Sequence, residues 1–502
     1  MTVPFRNIPA NLRVPLFFAE IDNSHANTAQ FNQRALVIGQ ITSAGAATPN
    51  VPLLSNGPAD AIVQGGPGSM LALMVAAYAA NDGFGEVWQL PLADAGGSAA
   101  AAGNISFTGP ATAAGTLNLY IAGQLVQVAV TSAMTAAQLA TALVAACALV
   151  PTLPVSVAVD GTHNYQVDFT ALNKGLAGND IDLELNFRGS AAGEVTPAGI
   201  VGTITAMSGG SINPTLTTAL ANLVDMPFDF IVCPYTDATS MAAISALLND
   251  QAGRWSWNVQ IYGHAFYAYR GTSSALTTFG VALNDQHSSV MGVQGSPTPM
   301  WVWAAAVAGA AAASLKVDPG VPLQTLAVNG VLAPAIPNRF PLSIRNSLLF
   351  DGISTFTVDA SGQVRIENLI TTYQRNAQGV ADDSYLEIET MFLLMYVLRT
   401  LQARVTSIFA RCKLAADGTR FAPGSNIVTP NIIRVDQIAA YRDLEYRGFV
   451  QRSDLFAAAI VVEQNATNPN RVDVLWPGIL IDQLRIFALL AQFRLSAAQL
   501  GG

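Results

Sequence analysis

A chain of 502 residues is long enough for about three domains with cores of their own. Its 24 basic and 33 acidic residues amount to only 11% of the chain, against about 25% in an average soluble domain, while 51% of it is hydrophobic. Residues 300–315, the longest apolar stretch, fall short of the roughly 20 needed to cross a bilayer, and this hydrophobic composition is the opposite of a disordered chain, which leaves a surface covered by further copies of itself.

The first 28 residues read as an extended arm. Prolines at 4, 9 and 15 disfavour helix, and residues 14–21 (Val-Pro-Leu-Phe-Phe-Ala-Glu-Ile) form a strand candidate with no hairpin partner beside them. No signal-peptide pattern is expected there, because Arg6, Arg13 and the prolines interrupt any apolar run. A buried strand at 35–41, a helix entered through Gly65-Gly66-Pro67-Gly68-Ser69 and a strand at 86–90 predict an α/β layer.

Residues 95–159 hold no charged side chain. Within them a hairpin is predicted around Ala122-Gly123, and a helix over 135–149 capped by Thr135. Strands at 155–159, 165–170 and 181–187 follow, so residues 96–208 are expected to be an inserted, mostly β domain. The α/β pattern then returns: helices at 220–223 and 240–249, strands at 230–233, 258–262 and 278–282, and an Ala-rich helix over 299–315.

A proline-rich linker (317–341) leads to a strand at 363–367, a long helix over 386–412, a helix at 432–447 and strands at 456–463 and 483–487. The long helix has a capping-box pattern, Ser384 to Glu387, and a polar stripe of Thr400, Arg404, Ser407 and Arg411. Up to position 334 the chain carries 8 basic and 18 acidic residues; beyond it there are 16 and 15, and 15 of those 16 bases are Arg. Balanced, Arg-rich charge marks a contact-rich segment.

Chemistry is sparse. The net charge of −9 argues against direct nucleic-acid binding. Cys147, Cys233 and Cys412 are far apart and read as buried small side chains; His25, His163, His264 and His287 have no metal-ligand spacing, so no metal or cofactor is expected. Gly271-Thr-Ser-Ser-Ala275 and Ala238-Thr-Ser-Met-Ala242 look like a subtilisin nucleophile segment around Ser273 or Ser240. Neither follows a matching histidine motif, and a helix cap at Thr239 or Ser240 and a turn at Gly271-Thr272 explain them better.

Six segments together carry a resemblance: Val14-Pro-Leu-Phe-Phe-Ala-Glu-Ile-Asp-Asn-Ser24; Gly65-Gly-Pro-Gly-Ser-Met-Leu71 with Glu86-Val-Trp88; Gly178-Asn-Asp-Ile181; Ile370-Thr-Thr-Tyr373; Lys413-Leu-Ala-Ala-Asp-Gly-Thr419; and Asn468-Pro-Asn-Arg-Val-Asp473. In this order the chain resembles, over nearly its whole length, the tail sheath proteins of contractile-tailed bacteriophages of the Mu-like group. The resemblance implies a multidomain α/β plus α+β protein with a subtilisin-like α/β core lacking a working triad (29–95 and 209–334). To that core it adds the inserted outer domain (96–208), a C-terminal α+β domain facing the tail tube (335–478) and terminal arms (1–28 and 479–502).

It further implies a non-enzymatic virion subunit, assembled in the host cytoplasm, that polymerises around the tail tube, meets baseplate and tail terminator proteins, and contracts to drive the tube through the host envelope, without stable membrane insertion. Val14, Leu16, Phe18 and Ile21, with Ile479, Ile481, Leu484 and Ile486, are the expected strands exchanged between subunits. Arg399, Arg404 and Arg411 are the expected tube-facing residues. The alternatives are the sheath of a headless contractile particle of bacteriocin or secretion type and, from another class, a serine hydrolase on a subtilisin-like scaffold.

Overall fold

The computed structural model describes residues 33–493, so the expected N-terminal arm strand at Val14, Leu16, Phe18 and Ile21, and His25, lie outside the described residues. The first layer contains β1 (Arg34–Gln40), β2 (Leu53–Leu54), α1 (Pro58–Gly65), α2 (Met70–Ala79) and β3 (Glu86–Leu92). Strand β1 is buried from its second residue on, the mark of a strand covered on both faces. Ser69 begins α2 by accepting the Ala72 amide, as the Gly-rich entry predicts.

The next segment contains β4 (Ala102–Thr108), β5 (Gly115–Ile121), β6 (Gln124–Val130), α3 (Ala136–Ala148), β7 (Val155–Val159), β8 (Gln166–Ala171), β9 (Leu183–Leu185) and β10 (Val201–Ser208). They form two antiparallel sheets, β10-β4-β8-β7 and β6-β5-β9. Ala122 (φ 52) and Gly123 (φ 77) turn the predicted hairpin with two left-handed residues, which suits the strand twist. Thr135 and Gln138 form a reciprocal capping box on α3. Side chains such as Ile105, Phe107, Leu119, Leu143 and Phe169 close a hydrophobic cluster separate from that of the first layer. The uncharged run thus fills a core, and its exposed positions include Thr, Ser, Gln, Ala and Gly, with Leu125 and Leu149.

The chain then returns through α4 (Thr217–Ala221), β11 (Phe230–Val232), α5 (Ala238–Leu248), β12 (His264–Arg270), α6 (Ser273–Gly280), β13 (Ser288–Val293) and α7 (Met300–Leu315). The large sheet runs β13-β12-β11-β1-β3-β2, parallel throughout except for β2. Helix α7 is buried on nearly all sides, including Trp303 at 0% exposure, and Gly309 passes so close to α2 that a Cβ there would meet the Tyr78 carbonyl at 2.5 Å.

Two expected strands of this layer are absent. Residues 258–262 turn instead, with Gln260 (φ 53) and Tyr262 (φ 65) left-handed and the Ile261 and Tyr262 amides donating to the Arg254 carbonyl. Residues 278–282 fall largely in α6, which Thr272 caps by accepting the Ala275 amide. Short apolar runs fit either period, and the cap decides.

Beyond α7 the chain does not leave the core. Leu323 and Val328, in the proline-rich stretch, are fully buried, and α8 (Leu342–Phe350), β14 (Thr355–Val358) and β15 (Val364–Asn368) add Leu348, Ile353, Val364 and Ile366 to the cluster of the large sheet. Helix α9 (Ile388–Phe409) continues it with Ile388, Phe392 and Met395. Leu348, Ile353, Val364, Ile366 and Leu369 therefore pack with the core, beyond the division expected at 334. The capping box expected at Ser384 does not form. Ser384 donates to Asp382, and Glu387, the residue preceding α9, is drawn to Arg485.

The final elements are β16 (Lys413–Leu414), β17 (Ile427–Val428), α10 (Pro430–Tyr446), β18 (Val450–Gln451), α11 (Ser453–Ala459), β19 (Val461–Gln464), β20 (Val472–Leu475) and β21 (Ile479–Leu480). The expected strand at 456–463 begins as α11. The one at 483–487 is not a strand; residues 481–493 have no regular structure. A third cluster forms here around Leu393, Val397, Tyr441, Leu444 and Phe456, with Tyr441 and Phe456 stacked at 3.9 Å and Trp476 against both.

Candidate assembly interface

The three arginines expected to face the tube occupy three different environments. Arg399 points inward: its guanidinium donates to Asp229, beside β11, at 2.5 Å and to the Ile261 carbonyl at 2.9 Å, and lies over the Tyr262 ring. Asp229 is 0% exposed; burial pushes its carboxyl up, against the opposing pull of Arg399 and the Arg34 amide. Arg399 is thus not available to a tube, because one turn of α9 is spent on the core. Arg404 grips Asp436 of α10 through Nε and Nη2, at 2.6 to 3.1 Å, in the two-pronged geometry a guanidinium favours. Arg411, just past the end of α9, is exposed, as are Lys413 and Arg420 in the following loop.

The C-terminal arm is anchored before it is free. Strand β21 pairs antiparallel with β18 of the same chain, the Ile479 amide donates to the Tyr441 hydroxyl at 2.9 Å and the Ile481 amide to the Phe449 carbonyl at 3.1 Å. Ile481 packs against the third cluster. Arg485 then reaches the foot of α9, pairing with Glu389 at 2.5 Å and Glu387 at 2.8 Å, while Glu389 also accepts the Leu323 amide. Burial raises the carboxyls of both glutamates above the ordinary range, with Arg485 opposing. Ile479 and Ile481 are therefore partnered within the chain. Leu484, Ile486, Phe487, Leu489, Leu490 and Phe493 remain 70% or more exposed. No simple sequence signal separates the two halves of this arm, since both are apolar with one arginine between them.

The hairpin of β19 and β20 is another open feature: a two-stranded ribbon with Val461, Val474 and Leu475 exposed. Sheet edges left uncovered are templates for strand addition.

The serine-hydrolase arrangement is not assembled. Ser240 sits in the first turn of α5 and donates to Asp237, which is the actual helix cap, in place of Thr239 or Ser240. Ser273 opens α6 behind Thr272. The His264 ring pairs with Ser289 at 2.9 Å, but both are buried inside the sheet, and burial holds His264 well below the usual imidazole range. Among the described residues no group of three or more His, Cys, Asp or Glu is placed to hold a metal ion, and no helix is long and apolar enough to cross a membrane. Burial pushes the Cys147 and Cys233 thiols up to about 12. Iodoacetamide at pH 8 is therefore expected to label only half-buried Cys412 in the folded subunit, and all three after denaturation; labelling of Cys147 or Cys233 in the folded protein, read by mass spectrometry, would contradict the packing.

What the described residues offer is exposed apolar surface and open strand edges, the features of an assembling protein. The profile of the phage tail sheath protein central domain matches residues 209–372. The Mu-like prophage FluMu tail sheath protein of Haemophilus influenzae is 39% identical over 495 residues, covering 98% of this chain and 100% of that one. Among solved structures, a sheath tail protein of Desulfitobacterium hafniense covers 94% of this chain and 97% of its own at 14% identity with a TM-score of 0.49. The helical sheath of the anti-feeding prophage in its contracted state covers 97% and 100% at 11% identity with a TM-score of 0.46. The chain belongs to the Mu-like phage tail sheath family, whose members are structural subunits of contractile tails.

Proposed function

We propose that copies of this chain polymerise as a helical array around the tail tube, between baseplate and tail terminator, and that the array contracts to drive the tube through the host envelope. Subunits would accumulate in the host cytoplasm before joining the virion tail. The observation that carries this reading is the exposed apolar strip after Arg485: a subunit that ends its anchored part on a buried ion cluster and then presents Leu489, Leu490 and Phe493 to water is incomplete without another copy. The exchanged segment is read as beginning at Ile486, later than the arm start at 479 expected from sequence.

The core is read as subtilisin-like in topology, on the strength of its parallel sheet, with its serines turned to helix capping. The units proposed are the core sheet with residues 335–372 included, the insertion at 96–208 projecting outward, and a tube-facing C-terminal unit built on the third cluster. Within that unit Arg411, with Lys413 and Arg420, takes the tube-facing role, since Arg399 and Arg404 are engaged internally. Reversing Arg411 and Lys413 to Glu is expected to leave the subunit folded by circular dichroism and to reduce sheath decoration of tubes severalfold in negative-stain images. Normal decoration would exclude this face. Interfaces that exchange partners between two arrays suit polar contacts, because they can be remade at lower cost than a dry core.

A further inference from the structure

The segment from β4 to β10 is joined to the core covalently at only two places, near residues 94–99 and 209–213, with glycine in the left-handed region at Gly97 and Gly209. A domain hung on two such connections is free to swing unless contacts hold it. The contacts present are unusual in kind. Helix α2 has its Ala72 amide satisfied by Ser69, but the Met70 amide, at the first helical position, is satisfied by Asn173 Oδ1 of the insertion at 2.9 Å. The same amide side chain donates from Nδ2 to the Ile41 carbonyl at 2.9 Å, beyond the end of β1.

Helix α7 begins after Pro299, which has no side-chain acceptor, and the Met300 amide donates to Asp180 Oδ2, again from the insertion. Asp180 Oδ1 pairs with Arg270 at the end of β12, whose other nitrogens donate to the Ser296 and Thr298 carbonyls. Next to it, Asn179 closes the neck of the insertion by exchanging two hydrogen bonds with Gly210, at 2.8 and 2.9 Å. The seam contains a void of only about 10 Å³, lined in part by Met70, Asn173, Gly178 and Trp301, at the lower limit for one water.

We propose that Asn173 and Asp180 are positioning residues that clamp the insertion to the core by capping two core helices from outside the core, so that insertion and core unfold and move as one body. Uncapped first-turn amides are what each helix would otherwise bury without partners. One short segment, residues 173–180, therefore serves both the insertion and the ends of α2 and α7. The Gly178-Asn-Asp-Ile181 segment thereby acquires a physical role, in which Gly178 permits close packing on Ala101 and Ala171, Asn179 shuts the neck, and Asp180 caps α7.

The test uses the full-length free subunit. Asn173→Ala is expected to speed hydrogen exchange in peptides covering 70–73 on the order of tenfold while leaving 300–303 unchanged, and Asp180→Ala to do the reverse, as loss of one cap implies. The wild type is expected to melt in one transition and the double variant Asn173→Ala/Asp180→Ala in two, the insertion first, with new protease cleavage in 94–99 and 209–213. A double variant that melts in one transition with the wild-type cleavage pattern would overturn the proposal, as would a wild type that already melts in two. Should the double variant fail to fold, Asn173→Ala alone decides: it removes the acceptor for the Met70 amide and the donor to the Ile41 carbonyl, so it should raise cleavage at both connections while α7 stays protected. Cleavage equal to wild type would refute the clamp.

Discussion

Replacing Arg399 by alanine is expected to destabilise the free subunit by about 3–5 kcal/mol, read from chemical unfolding, because it leaves Asp229 buried without its counter-charge. The cost comes from the orphaned carboxylate more than from the lost attraction. Exchanging both partners, Arg399→Met with Asp229→Asn, is accordingly expected to recover most of the loss, and a double-mutant cycle with no coupling would contradict this account.

The pH dependence follows with a definite sign. Without Arg399, only the Arg34 amide and the charge of Lys316 oppose burial at Asp229, and its folded value rises further above the unfolded value of about 4, so the folded state takes up the proton first as the medium is acidified. The deficit of Arg399→Ala should then shrink as pH falls from 7 through that raised value and be smallest below about 4, where both states are protonated. A deficit that grows on acidification would show that Asp229 is solvated.

A chain ending at Arg485 is expected to fold normally and to fail to assemble. It keeps β21, Ile481 and the pairing of Arg485 with Glu387 and Glu389, and it loses the exposed strip that another copy would cover. Ending at Gly478 is different in kind: Glu389 is left buried beside Glu387 with no cation, and the third cluster loses Leu480 and Ile481, so a loss of about 3–5 kcal/mol is expected in that unit. Sedimentation and negative-stain microscopy separate the two. Sheaths formed by the chain ending at Arg485 would remove the strip from the assembly mechanism, and equal stability of the two truncations would remove the anchor.

Much of the architecture was legible because local signals agreed with the fold. The β1 and β3 runs, the Ser69 and Thr135 caps, the Ala122-Gly123 hairpin and α7 are each specified within a few residues, and the structure keeps them. Three of the misplaced strands share one cause. The runs at 258–262, 278–282 and 483–487 are short and apolar, and such runs fit strand, helix or packed coil until a distant group intervenes. At 258–262 the Arg254 carbonyl turns the chain, and at 278–282 the Thr272 cap has already committed it to helix. The proline-rich stretch read as a linker is held on the core by buried Leu323 and Val328, which composition hides.

For the interface the division is sharper. By itself the sequence determined few charges, an uncharged β insertion and an Arg-rich C-terminal third, because composition and period are properties of the chain alone, and its ordered segments carried the resemblance to an assembling sheath subunit. Which arginine does what was decided only by the tertiary structure. Arg399, Arg404, Arg411 and Arg485 are the same residue type in similar surroundings along the chain, yet one is buried on Asp229, one grips Asp436, one is exposed and one clasps two glutamates. A guanidinium's role is fixed by the carboxylate that folding brings to it, and here those partners lie 170, 32 and 96 residues away along the chain.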